Sequence, residues 1–147
     1  MSEKIDLSTM KRLFLLLAIL VLAGVVASCS SGQPAIELET LELDLGDVPN
    51  GDIATRDVPV RNTGDAFLVV EDVSTSCGCT SAALEPMQLG PGESGVLHIE
   101  YDAGAHGPEL TGPMVRQVFI NSNDPGQPEV IVELAVNITP PLRAESE

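Results

Sequence analysis

Three cysteines carry the most reactive side chains in this 147-residue chain, and two of them flank one glycine in the run Ser76-Cys77-Gly78-Cys79-Thr80. Thiols this close have three fates open to them: a disulfide, a shared soft metal ion, or a reduced pair that only packs a turn. Residues i and i+2 of a flat strand have Cα atoms about 6.5–7 Å apart, at the upper edge of disulfide geometry. Gly78 relaxes that limit, since glycine tolerates backbone angles other residues avoid. Such a bridge closes too short a loop to add much stability and is readily reduced. Redox exchange or metal capture therefore explains the spacing better than a fold staple. Two thiolates on one side of a turn suit Cu(I) or Zn(II), and tetrahedral zinc needs two further ligands. Candidates are His98, His106, Met87 and Met114. No spacing places any of them beside Cys77 and Cys79: alternation puts His98 on a solvated strand face, and His106 lies in a Gly/Pro loop. Ser76 and Thr80 read first as turn and cap residues, and second as hydrogen-bond donors to a sulfur.

Other chemistries are missing from the pattern. The chain has no Gly-rich phosphate loop, no Gly-x-Ser-x-Gly elbow and no His-Glu-x-x-His. Its 22 Asp and Glu against 7 Lys and Arg give a net charge of −15, the wrong sign for neutralising nucleic-acid phosphates. Carboxylates are abundant, yet none has the spacing of a calcium loop. The expectation is a non-enzymatic protein with no catalytic residues, copper or zinc being the one cofactor its thiols suit.

The third cysteine has a different setting. After Lys11-Arg12, residues 13–27 run without a charge or strong polar group and end in Val26-Ala27-Ser28-Cys29. The run has signal-peptide length and is short for a helix crossing about 30 Å of hydrocarbon. Its end resembles the bacterial lipobox, in which a cysteine is diacylated and becomes the mature N-terminus. The competing reading is an uncleaved anchor in which Cys29 is incidental. Processing predicts a signal helix over 1–28, lipidation at Cys29 and a flexible tether over 29–35. Two acyl chains hold a protein stably on a bilayer where one is marginal. The expected location is lipid-anchored and extracytoplasmic, in the periplasm or on the external face of a bacterial membrane. The processed chain keeps four Arg, no Lys and twenty acidic residues. That surplus keeps the body soluble and repelled from anionic headgroups.

The elements that position these residues read as strands. With no Trp, 1 Tyr and 3 Phe, the core must be built from Val, Leu and Ile. Residues 35–45 alternate apolar and acidic with a phase slip between Leu38 and Leu41. Pro49-Asn50-Gly51, Asn62-Thr63-Gly64-Asp65, Leu89-Gly90-Pro91-Gly92-Glu93 and Asn123-Asp124-Pro125-Gly126 are turn signals. Between them lie apolar runs at 53–60, 67–73, 96–101, 114–120 and 130–138. The last alternates most cleanly, through Val130, Val132, Leu134, Val136 and Ile138, and predicts a central, half-buried strand. About seven strands with regular turns predict an all-β, Ig-like antiparallel sandwich over 36–139, followed by a disordered tail over 140–147. The long connection from Asp102 to Pro113 reads as a mobile crossover, or as a loop for partner contact.

Five motifs then carry a resemblance: Leu45-Gly46-Asp47-Val48, residues 60–65, the Ser-Cys-Gly-Cys-Thr run, residues 89–93, and Asn121 to Pro125. Together they resemble the signature of the bacterial family known as domain of unknown function 1573, over about residues 41–138. The resemblance implies an immunoglobulin-type sandwich related to hydin-like and major-sperm-protein-like domains, and a cell-envelope setting. It implies no reaction. Relatives tend to carry a basic Gly-Lys stretch where this chain has Gly104 to Pro113 with Glu109 and no Lys, so an anionic partner met through that loop is not implied here. Two functions follow as expectations. One is an interaction module presenting edges and loops to unknown envelope proteins, with the lipid bilayer bound through Cys29 and no nucleic-acid partner. The alternative is thiol-redox or copper/zinc handling through Cys77 and Cys79.

Overall fold

The computed structural model describes residues 32–141. The expected signal helix over 1–28, the lipidation site Cys29 and residues 142–147 of the expected tail lie outside them. Nine strands make up the described body: β1 (Ile36–Leu38), β2 (Glu42–Pro49), β3 (Ile53–Asn62), β4 (Leu68–Thr75), β5 (Thr80–Glu85), β6 (Gln88–Leu89), β7 (Ser94–Asp102), β8 (Gly112–Ser122) and β9 (Glu129–Thr139). They form two sheets, ordered β1-β3-β7-β5 and β2-β9-β8-β4-β6, which face one another as a sandwich. The two strands beyond seven are accounted for by β1 and β6, three and two residues long.

The phase slip near Leu38 has a physical meaning. Ile36 and Leu38 belong to β1, paired with β3, whereas Leu43 and Leu45 belong to β2, paired with β9 in the opposite sheet. The chain changes sheets between them, so the inward parity must be reset. Arriving by a crossover and not by a hairpin, β2 runs parallel to β9. This one pair corrects the expectation of a wholly antiparallel sandwich. A register shift between Asp44 and Asp47 bends β2, with Gly46 at φ 71°.

The core is aliphatic, as composition requires. Val60, Leu68, Leu97, Val118, Ile120, Val132 and Leu134 have no exposed surface, and the single Tyr, Tyr101, is equally buried. The five inward-facing residues of β9, Val130, Val132, Leu134, Val136 and Ile138, are buried, each contributing about 1.5–3 kcal/mol by removal from water. β9 lies between β2 and β8, the central position its alternation predicts.

One end of the sandwich is closed by two buried polar side chains. Asn62 donates through Nδ2 to the carbonyls of Ala66 (2.7 Å) and Leu89 (3.0 Å), and its Oδ1 accepts from the N–H groups of Ala35 and Gly64. Asp124 accepts from Ile36 N–H through Oδ2 (2.9 Å) and from Gly126 and Gln127 N–H through Oδ1. Residues 32–35 of the expected tether over 29–35 lie among the described residues and meet the body. The carbonyls of Gln33 and Ala35 accept from Asp65 and Thr63 N–H, which ties the backbone to the body from Gln33 onward. Gly64 permits that approach, since a Cβ there would meet the backbone of residues 33–35. The connection after β7 is also held. Asn50 Nδ2 donates to the carbonyls of Gly107 (2.9 Å) and Leu110 (2.8 Å), and Leu110 packs on the core.

Candidate functional site

At the other end, the chain leaves β4 in one sheet and enters β5 in the other through a turn at residues 76–79. Cys77 and Cys79 are disulfide-bonded across this turn, with Cα atoms 5.3 Å apart. That separation is inside disulfide range because the pair sits on a turn, not on the flat strand considered from sequence. Gly78 plays a different part from the one its spacing suggests. Its φ is not among the positive values of the chain, and a Cβ built on it meets nothing within 4 Å. It is exposed at the tip of the turn, where a side chain would project into open space.

Local hydrogen bonds fix the turn. Ser76 N–H donates to the Gln117 carbonyl, and Ser76 Oγ accepts from Gln117 N–H at 2.9 Å, so Ser76 anchors the turn to β8. Thr75 Oγ1 contacts the carbonyls of Cys77 and Thr80. Asp102 N–H donates to the Cys79 carbonyl, fastening the turn to β7. Ser76 thus serves as the cap the sequence suggested, while Thr80 meets both sulfurs, its Oγ1 lying 3.4 Å from Cys77 Sγ and 3.9 Å from Cys79 Sγ.

The two sulfurs differ in their surroundings. Cys79 is part of the core with 2% of its surface exposed, whereas Cys77 is only half-buried. Across the interior, Arg116 on β8 donates through Nε to Cys79 Sγ at 3.3 Å, while Nη1 donates to the Val115 carbonyl. No carboxylate among the described residues pairs with this guanidinium; the one ion pair there is His98–Asp57. Tyr101, opposite Thr80 in the β5–β7 ladder, has a buried hydroxyl with no hydrogen-bond partner. Burial raises the Tyr101 phenol above its ordinary value; Arg116 opposes the shift and Asp102 adds to it. The same guanidinium therefore acts on the sulfur and on the phenol.

Arg116 was absent from the sequence candidates, although a signal existed. Met114, Arg116, Val118 and Ile120 share one parity along β8, and the last two are fully buried, so Arg116 occupies an inward position.

The remaining candidates lie elsewhere. His98 is on the outer face of β7, opposite Asp57 of β3, with Nδ1 to Oδ1 at 2.7 Å. The pair borders a shallow depression of about 290 Å³, lined also by Thr55, Ser81, Ala83 and Glu100. His106 lies in the connection between β7 and β8, Met87 is exposed beyond the far end of β5, and Met114 packs partly against the core. Among the described residues no three His, Cys, Asp or Glu side chains converge as a metal-binding group, and the two thiols are spent on each other. In this disulfide-bonded form, no further copper or zinc ligand stands beside the two sulfurs among the described residues.

β5 itself is a sheet edge. The Asp102 N–H to Cys79 carbonyl bond sets the phase of the β5–β7 ladder, so the N–H and C=O of Ala82 and Leu84 point away from β7.

Comparison with known proteins agrees with this architecture. A protein of unknown function from Porphyromonas gingivalis W83 superposes with a TM-score of 0.67 at 23% identity, over 76% of this chain and 50% of that one. This chain thus spans about half the length of that relative. The ASH/PapD-like domain 7 of human CEP192 superposes at 0.57 with 9% identity, covering 74% of this chain and 87% of that one. The Vibrio cholerae VesB protease matches at 0.51 with 14% identity, over 72% of this chain and only 31% of that one. At such identities these likenesses speak for the fold alone, an all-β sandwich of PapD-like and Ig-like type. No curated protein matches the chain. The family model described as protein of unknown function (DUF1573) matches residues 36–138, all nine strands but the last residue of β9, and the chain belongs to that family.

Proposed function

We propose that this chain is a lipid-anchored, extracytoplasmic interaction domain that receives an extended segment of another envelope protein along β5. The observation that carries the reading is the contrast among the four sheet edges. β1 offers three residues and β6 two, while β2 is bent by its register shift and carries Glu42, Asp44 and Asp47. Short, bulged and charged edges are the usual defences against strand addition. β5 has none of them over Ser81-Ala82-Ala83-Leu84, and no strand among the described residues pairs with its outer side. An added strand would meet the free backbone groups of Ala82 and Leu84. The small side chains of Ser81 and Ala83 leave the depression beside His98 open to alternate side chains of the incoming segment.

The anchoring part rests on the sequence. The apolar run before Cys29 supports diacylation there, and a Cys77–Cys79 disulfide suits an oxidising compartment outside the cytoplasm. Intact mass spectrometry of the membrane-extracted protein is expected to show a chain beginning at Cys29 with two acyl groups plus the processing adduct. A full-length, unlipidated chain recovered from the cytosol would overturn the anchoring.

The edge is tested by Ala82→Pro. The Ala82 N–H faces outward, so proline removes no bond to β7 yet blocks an arriving strand. A photocrosslinker at Ser81 is expected to capture a specific protein in whole cells, and capture is expected to vanish in the Ala82→Pro chain while its melting temperature stays near the parent's. Capture that persists in Ala82→Pro, or that occurs instead from Glu42 on β2, would refute β5 as the docking edge.

A further inference from the structure

Beyond docking, we infer that the Cys77–Cys79 bridge is a thiol–disulfide exchange site with fixed roles: Cys77 Sγ is the sulfur attacked, and Cys79 Sγ leaves as a thiolate held by Arg116. The substrate class is a dithiol carried by a partner protein. The inference does not depend on β5 being a docking edge.

Three independent features point the same way. Access is asymmetric, because Cys77 is half-buried at a bare turn beside Gly78 whereas Cys79 is 2% exposed. An incoming thiolate must approach in line with the S–S bond, and of the two residues Cys77 is the more accessible. Charge is asymmetric as well. Arg116 Nε–H is directed at Cys79 Sγ from 3.3 Å, and Cys77 has no such donor. A guanidinium beside a sulfur favours the thiolate over the thiol. Finally, apart from a bond from Nη1 to the Val115 carbonyl, Arg116 has no competing acceptor and no paired carboxylate among the described residues. In a chain with 22 acidic residues, an inward-facing Arg without a paired carboxylate among the described residues is unusual. A neutral disulfide sulfur is a weak acceptor for such a charge. The anion formed by reduction is the species that the guanidinium fits.

One thiolate of the partner attacks Cys77 Sγ, the S–S bond breaks, and its electron pair remains on Cys79 Sγ as a thiolate beside Arg116. The partner's second thiol, deprotonated to solvent, then attacks its own sulfur in the mixed disulfide and expels Cys77 as a thiolate, which takes up a proton. The partner dithiol is oxidised to a disulfide, and Cys77 and Cys79 are reduced to a dithiol. Thr80 Oγ1, within reach of both sulfurs, can donate to either as charge passes between them. Run backwards, the same steps make the reduced chain a donor of two electrons to a partner disulfide.

The test uses the full chain in detergent with dithiothreitol as the dithiol probe and glutathione as the trap. Reduction is expected to proceed on the folded protein. Peptide mapping after glutathione treatment is expected to place the mixed disulfide on Cys77. Arg116→Gln is expected to shift the dithiothreitol equilibrium about tenfold toward the bridged form, and to move the pH profile of thiol alkylation at Cys79 upward by about one unit. Arg116→Lys is expected to recover part of both shifts, which a purely structural role of the side chain would not produce. Because Arg116→Gln can loosen the core, the Arg116→Lys chain and glutathione mapping of the parent each stand as separate tests. Glutathione on Cys79, reduction only after unfolding, or an equilibrium and pH profile indifferent to both Arg116 variants would each overturn the inference.

Discussion

Asn62 and Asp124 lie at the end of the sandwich where β3 and β8 finish; Cys79 and Arg116 lie at the end where β4 finishes and β5 begins. At the first end every side-chain polar atom of Asn62 and Asp124 is hydrogen-bonded. Asn62 makes four hydrogen bonds, and the two carboxylate oxygens of Asp124 accept three N–H groups. At the second end Arg116 spends Nε on a sulfur, and Tyr101 buries a hydroxyl without a partner. Native proteins leave few buried polar groups unmatched, and the exceptions call for an explanation. Full satisfaction at the first end reads as structure. Incomplete satisfaction around a reactive bond reads as function, since local rules are relaxed where another demand competes with stability. The contrast is sharper because both ends close the same core and are built from turns of similar length.

The largest effect that tests this contrast is expected for Asn62→Ala. It strands the carbonyls of Ala66 and Leu89 and the N–H groups of Ala35 and Gly64, at about 1–3 kcal/mol for each group that water cannot reach. A net loss of about 3–4 kcal/mol, or roughly 15 °C in melting temperature, is expected in a thermal scan. Next comes Asp124→Asn, at about 2 kcal/mol, because an amide nitrogen then faces a backbone N–H that had an acceptor. Asp124 also predicts a pH dependence. Burial acts to raise its pKa but is outweighed by the N–H donors of Ile36, Gly126 and Gln127, which hold it below the ordinary value. A carboxyl with a depressed folded-state pKa stabilises fully above its unfolded value, about 4, and that share is lost as pH falls through the folded value. Denaturant titrations between neutral pH and strong acid should show the parent losing stability below about pH 4, with a smaller loss in Asp124→Asn. Equal acid sensitivity of the two chains would detach Asp124 from the effect.

Much of this division was readable from the chain, but not the part that separates the two ends. β9 was legible because it is central and one of its faces is entirely core, so an apolar residue recurs at every second position from Val130 to Ile138, although Ile131 and Ala135 leave the outer face partly apolar too. The direction of β2 was not, since alternation records which face is buried and says nothing of which way the neighbouring strand runs. β6 is too short to show a period. Asn62 and Asp124 sit in runs that look like ordinary surface turns, and their burial depends on Ala35 and Ile36, distant in sequence, folding over them. The cysteine pair was visible from its spacing alone. Its guanidinium was not, because Arg116 lies 37 residues after Cys79 and reaches it from the opposing sheet. His98 drew attention by residue type and turned out to be an exposed member of a cross-strand pair, an arrangement worth about 0–1 kcal/mol.

Two smaller effects should separate the ends further. Replacing both cysteines by alanine is expected to cost only about 1 kcal/mol, because a bridge across one residue constrains the unfolded chain far less than the ~15-residue loop that gains about 3 kcal/mol. Smaller still is the expected cost of Arg116→Leu. The residue points inward between β8 neighbours that are fully apolar, so a leucine fills the same space without a charge to desolvate. Arg116 is partly buried, and replacing a charge at such an inward position with a well-packed apolar group is often neutral or stabilising. The Cys79 sulfur gives up only a weak hydrogen bond, and the buried Tyr101 hydroxyl has no bond to lose. A change within about 1 kcal/mol of the parent in urea unfolding is therefore expected, set against the 3–4 kcal/mol of Asn62→Ala. A loss at Arg116→Leu as large as the loss at Asn62→Ala would mean that the guanidinium holds the turn end together as Asn62 holds the other. The two ends would then be equally structural, and the unspent polar groups beside the disulfide would need another cause.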